Sequence, residues 1–263
     1  MGSAFTAEEL RDLQRARALL ENPSFIVKLS NMLGSPIDKG FAFLPKNWSA
    51  KIHQAASAAL FKALEVAIAS TPKKKPKSIS NQWHKILAGA SGGVGGAFGF
   101  AALPVELPIS TTLMLRSIAE IARSEGHDLR SVDTKLACLE VFALSGSRKA
   151  ADRPETAYWV TRMALVQSVN EAASYLAQKG AVERTAPALA RLIGAIAARF
   201  GVVISEEAAA KALPVIGAVG GGIINVAFMN HFQQMAQGHF IILRLEKKHG
   251  LKLVRSQYDA LTG

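Results

Sequence analysis

Apolar and small residues recur along the chain at spacings of three and four, and runs alternating with period two are almost absent, a pattern that predicts helices and no sheet. The first helix is expected from Ala7 to Leu20. Thr6, with Glu9 three residues later, forms a capping box at its start, and Pro23 follows its end. Between Asn47 and Ser70 the residues Ile52, Ala56, Ala59, Leu60, Ala63, Leu64, Ala67 and Ile68 form the clearest amphipathic stripe in the chain. A further helix is expected to start at Ser110 or Thr111, carry Leu115, Ile118, Ala119 and Ala122, and stop at Gly126. Asp133 can cap a helix through Leu144, and Pro154 suits the first turn of one running towards Gln178. Glu183 to Phe200 reads as another, Ser205-Glu206-Glu207 starts a short one, and Pro214 breaks the chain.

Two low-charge stretches interrupt this pattern. Ile86 to Val105 has no formal charge over 20 residues, long enough to cross a bilayer core of about 30 Å. Its glycines, including Gly89, Gly92, Gly93 and Gly96, would each cost about 1 kcal/mol in an exposed helix, so close backbone packing explains them better than simple spanning. The second stretch, Ala212 to Leu243, carries only His231 and His239 as titratable groups and repeats the glycine richness at Gly217 and Gly221. Between the N-terminal helices and the first stretch, residues 71–78 place Lys73, Lys74, Lys75 and Lys77 around two prolines, which reads as an exposed basic loop. The expected fold is therefore all-α, a multi-helix bundle with central, tightly packed Gly/Ala-rich helices. It is read as a single domain over 1–263, with an N-terminal helical part (1–70), the basic loop (71–78) and the remaining core (79–263).

Composition sharpens this picture. Hydrophobic residues make up 49% of the 263 positions and charged residues 19%, less charge than an ordinary soluble domain carries, so the chain must bury a large core or touch lipid. A single cysteine, Cys138, excludes a disulfide framework and suits a reducing compartment, and the first residues carry no signal-peptide pattern.

Trp83-His84-Lys85, the glycine stretch, and then the run from Leu103-Pro104-Val105-Glu106 through Arg116 to Ala122 resemble the EcsC protein family. Leu136 to Leu144 resembles a second block of that family. Leu213 to Ala218, with Asn225 and Arg244-Leu245-Glu246, resembles a C-terminal one. The resemblance implies a helical, Gly/Ala-rich protein connected with the cell envelope. It also implies an ABC transporter as a candidate partner by association, because the family takes its name from a bacterial gene beside one.

Chemical motifs are sparse. No His-Glu-x-x-His, G-x-S-x-G or G-x-x-x-x-G-K-[ST] occurs. Glu246-Lys247-Lys248-His249 has the Glu-x-x-His spacing of di-metal bundles, but in one copy only, so no metal and no cofactor are expected. Cys138 sits among Leu136, Leu139 and Phe142, which suits a buried, inert thiol. Glu106 lies between two prolines ahead of an expected helix N-terminus and could cap it. With Thr111, Thr112, Arg116, Glu120, Asn225, Asn230 and His231 it could instead line a polar-headed pocket for an apolar ligand.

The net charge of +11 would suit nucleic acid, but aromatics are 7% and no nucleic-acid motif is present. An anionic membrane surface or lipid, met by Lys73, Lys74, Lys75 and Lys77, fits better. The expectation is a non-enzymatic, membrane-associated or lipid-binding protein with an envelope or transport-related accessory role, cytoplasmic and peripheral to the inner membrane. Its alternatives are an enzyme acting on an apolar substrate around Glu106, and an integral subunit with a glycine-rich helical hairpin.

Overall fold

The structure is a computed structural model and describes residues 5–21, 27–28, 30–31, 37–69, 103–144, 154–213 and 221–261. The lysines of the 71–78 loop and Gly89, Gly92, Gly93, Gly96 and Gly217 fall outside them, as does the side chain of Glu106. Among the described residues the elements are α1 (Ala7–Leu20), a 3-10 helix (Ile37–Phe43), α2 (Trp48–Ala69), α3 (Leu103–Ser124), α4 (Val132–Leu144), α5 (Pro154–Lys179), α6 (Pro187–Ala212), α7 (Gly221–His249) and α8 (Leu251–Ala260), with no strand.

Local chemistry sets most of the ends. The Thr6 side chain accepts from the Glu9 N–H at 3.2 Å while the Glu9 carboxylate accepts from the Thr6 N–H at 2.9 Å, so the capping box opens α1 as expected. Gly126 and Gly250, at φ 85° and 84°, end α3 and α7 in a conformation that a side chain would oppose. Gly250 does not end the fold, because α8 begins at the next residue.

Four expected boundaries are corrected. Helix α3 starts at Leu103 rather than at Ser110 or Thr111. Pro104 sits in its first turn, where no N–H is needed, and Pro108 costs only the ladder bond back to residue 104. Glu106 is therefore inside the helix and not ahead of its N-terminus. The two helices expected around Gly201 are the single α6, which begins at Pro187 and not Glu183. Ser205 Oγ donates to the Gly201 carbonyl at 2.5 Å, bonding back into the helix instead of capping a new one. Asp133 lies in the first turn of α4, one residue inside its start.

The core is contiguous. Helix α2 buries Ile52, Ala55, Ala56, Ala59, Leu60, Ala63 and Leu64 against α3 and α6, its alanines letting the backbones approach. Phe142 of α4, Phe200 of α6 and Phe232 of α7 meet at the centre, with ring centroids 4.8, 5.3 and 5.6 Å apart. Helix α1 lies along α7 where Gly238 removes the obstacle: a Cβ there would stand 2.6 Å from Leu20 Cγ and 3.0 Å from the Ala16 carbonyl oxygen. Arg244 holds the same seam, reaching Asp12 of α1 at 2.8 Å and Glu125 beyond α3 at 3.1 Å. Among the described helices only α6 is long and apolar enough to cross a bilayer. Of its most apolar window 56% is buried in the fold, as in a core helix.

Candidate functional site

Helices α4, α5 and α7 enclose a charged cluster in otherwise apolar surroundings. Tyr158 and Arg162 are four residues apart on one face of α5, and His239 and Glu246 seven apart on one face of α7, so the two faces meet as a row. Arg162 donates through Nη1 and Nη2 to Glu246 Oε1 and Oε2 at 2.7 and 3.0 Å, a bidentate pair with side chains only 14% and 11% exposed. The guanidinium carbon lies 5.5 Å from the Tyr158 ring centroid and 5.4 Å from that of Trp159. The Tyr158 hydroxyl lies 3.1 Å from His239 Nδ1.

Electrostatics follow from this arrangement. Burial holds the His239 imidazole well below its ordinary range, and the nearby charges of Arg162 and His127 add to the effect, so the ring is neutral. A neutral ring lets Nδ1 accept the Tyr158 proton, which leaves the Nε2 proton without a hydrogen-bond partner among the described residues. Burial works against the charge of Arg162, but the Tyr158 oxygen, Glu246 and Glu140 outweigh it, and the guanidinium stays cationic. Glu140, from α4, is the odd member. Burial pushes its carboxyl up to about 7, Arg162 opposes the rise, and Glu246 reinforces it. One cation thus faces two carboxyls, and the one without the bidentate partner keeps a proton near neutrality. Cys138, two residues earlier, is buried, with its thiol pushed up to about 12 by burial and then by Glu140, so it supplies no thiolate nucleophile.

The residues expected to line a ligand pocket separate into two groups. Thr111 on α3 and His231 on α7 are buried on helices that pack together, and Gln233 Nε2 donates to Ser117 Oγ across the same seam at 2.8 Å. Burial, with the Lys28 charge, lowers the His231 imidazole to about 3. Asn225 is partly buried. Arg116 and Asn230 face solvent, Thr112 donates its hydroxyl to the Pro108 carbonyl at 2.7 Å, and Glu120 pairs with Arg123 instead of Arg116. Gly221 opens α7. The Glu246 and His249 of the Glu-x-x-His spacing serve different partners, since His249 Nε2 lies 3.1 Å from Glu9 Oε1 and its ring stacks on Phe5 at 4.3 Å. Among the described residues no group of three or more His, Cys, Asp or Glu side chains is placed to hold a metal ion.

The Arg162 cluster is not among the residues expected from the sequence. Its signal was a lone charge in an apolar helical run: Glu140 in Leu-Glu-Val-Phe, Arg162 in Val-Thr-Arg-Met. Glu140 and Glu246 also lie within the blocks that carry the family resemblance, and the sequence profile of the EcsC protein family matches residues 7–245. The chain belongs to the EcsC protein family. The match takes in α1 and α2 as well as everything from residue 79 to the Arg244-Leu245 pair. No curated protein and no solved structure matches the chain. Within this EcsC protein the cluster ties α4, α5 and α7 together around one titratable carboxyl.

Proposed function

We propose that this EcsC protein associates peripherally with the cytoplasmic face of the inner membrane, through anionic lipid, and serves an envelope or transport-related accessory role without catalysing a reaction. An ABC transporter is the partner suggested by the family's name. The observation that carries the reading is the combination of a +11 charge with large apolar side chains left facing water. Val160, Ile109, Phe43 and Met163 are 63%, 60%, 59% and 57% exposed. Glu9, Asp12, Glu125 and Glu246 are ion-paired within the fold, with Lys248, Arg244 and Arg162, while Lys39, Lys46 and Lys51 are exposed and make no ion pair among the described residues. Exposed apolar side chains on a protein of net positive charge are what a negatively charged bilayer surface attracts. The lysines of the 71–78 loop contribute to the same attraction.

The test is fractionation of cells that express the full chain. Release of the protein from the membrane pellet by high salt or by alkaline carbonate supports peripheral attachment. Retention through carbonate supports an integral subunit, and recovery in the supernatant before any extraction counts against both.

An acid–base enzyme is the second reading, favoured by Glu140, whose proton is held near neutrality beside a fixed guanidinium. Loss of a measured activity in Glu140→Gln, in a variant that melts no lower than wild type, would support it.

A further inference from the structure

The 3-10 helix Ile37–Phe43 is pressed against α6 on one side. Ile37 is buried, and Gly40 lies so close to the Ala209 backbone that a Cβ would collide with its carbonyl oxygen. This anchorage turns the following connection outward: Ala42, Phe43, Pro45, Lys46 and Asn47 are all exposed before α2 begins at Trp48. The connection is a built turn. The Leu44 N–H donates to the Phe41 carbonyl at 3.2 Å and the Trp48 N–H to the Pro45 carbonyl at 3.1 Å. Asn47 adopts the left-handed conformation at φ 64°, and the Phe41 and Trp48 rings stand 5.6 Å apart beneath the tip.

A rigid turn that holds a phenylalanine 59% exposed is not explained by the needs of the core. Its neighbours indicate the occupant. Lys39, Lys46 and Lys51 are exposed and make no ion pair among the described residues, and Asp38 is the one carboxylate between Ile37 and Leu64. Partly buried Trp48 completes the set of side chains that prefer a membrane–water boundary: an apolar tip, an amphipathic ring behind it and cations around it.

We infer that residues 39–51 are the membrane-contacting tip of this protein, with Phe43 entering the acyl boundary of an anionic bilayer and Lys39, Lys46 and Lys51 meeting lipid phosphates. The inference rests on the peripheral-membrane reading and adds a site that reading does not specify. Its residues are distinct in sequence from the basic loop, Lys51 and Lys73 being separated by most of the 22-residue helix α2.

The experiment places an environment-sensitive fluorophore at Ala42→Cys in the full chain, which keeps Phe43; the native Cys138 is buried and is not labelled in the folded protein. Vesicles of phosphatidylglycerol and phosphatidylcholine in equal parts should shift the emission to the blue and raise it severalfold, and brominated acyl chains should quench it. In parallel, Phe43→Ser combined with Lys39, Lys46 and Lys51→Gln should lower vesicle partitioning at least tenfold with an unchanged melting curve. If unlabelled wild type floats with the vesicles while the label at 42 keeps its aqueous emission, the tip is overturned and the membrane reading stands. If wild type itself does not float, the membrane reading fails and takes the tip with it. A response to polyglutamate without a response to vesicles would overturn the tip in favour of an acidic protein partner.

Discussion

Glu140→Gln should make the protein more stable at pH 8 and leave it little changed near pH 4.5. The carboxyl is raised from 4.5 in an ordinary setting to about 7 in the fold, chiefly by burial. Between those two values the folded state holds a proton that the unfolded chain has released, so stability is complete below about pH 4.5 and declines as pH rises towards 7. At ~1.4 kcal/mol per pH unit, the full loss is about 3 kcal/mol. Glutamine keeps the shape and hydrogen-bonding capacity of the protonated acid and cannot ionise. Urea unfolding of wild type and variant at half-unit steps from pH 4 to 8 gives the difference directly, and the contributions of His231 and His239, common to both proteins, cancel. The difference should grow in favour of the variant across pH 4.5–7 and then level off. A flat difference, or a variant that loses ground as pH rises, would mean that Glu140 is not a protonated acid in the fold but an ionised partner of Arg162.

Four further outcomes test other parts of the structure. Arg162→Met leaves the Glu246 carboxylate buried without its bidentate partner and should cost about 3–5 kcal/mol in chemical denaturation. Adding Glu246→Leu should return much of that loss. Gly238→Val drives a branched side chain into Leu20 and the Ala16 carbonyl and should cost ~1–3 kcal/mol or more, with earlier proteolysis within α1 than elsewhere. Thr6→Ala removes the oxygen that caps the Glu9 N–H and should cost about 1 kcal/mol in thermal unfolding. His231, lowered from 6.5 to about 3, gives the opposite pH sign to Glu140. The unfolded chain gains its proton first, so stability falls as pH drops below 6.5, by up to ~1.4 kcal/mol per unit. His231→Leu should flatten that acid limb in the same titration.

Where the chain carries a complete local signal, sequence and structure agree. Thr6 and Glu9 are three residues apart and close their own box, and the stripe from Ile52 to Leu64 needs only the helical period to locate its buried face. Gly126 and Gly250 stop helices because the required φ is a property of the residue itself. The misread boundaries arose where a local rule had an equally local exception. Pro104 and Pro108 are tolerated near a helix start, and Ser205 bonds backward to Gly201 rather than forward. The Arg162 cluster was illegible for a different reason: its partners lie 84 and 81 residues apart in sequence, as Arg162–Glu246 and Tyr158–His239, and no local pattern encodes such a meeting. Among the expected pocket residues, burial of Thr111 and His231 could be read from the faces of their helices. The solvent exposure of Arg116 and Asn230 depends on how α3 and α7 are rotated against their neighbours.

Attachment to an anionic bilayer by charge and apolar contact together underlies the proposed role. Flotation of purified wild-type protein with vesicles tests it most directly, with phosphatidylglycerol varied from none to half of the lipid and salt from low to high. The protein should not float with neutral vesicles, its binding should rise steeply with anionic lipid, and high salt should release part of it. Protein that stays at the bottom of the gradient at every composition, or that floats equally well with neutral vesicles, would contradict this attachment.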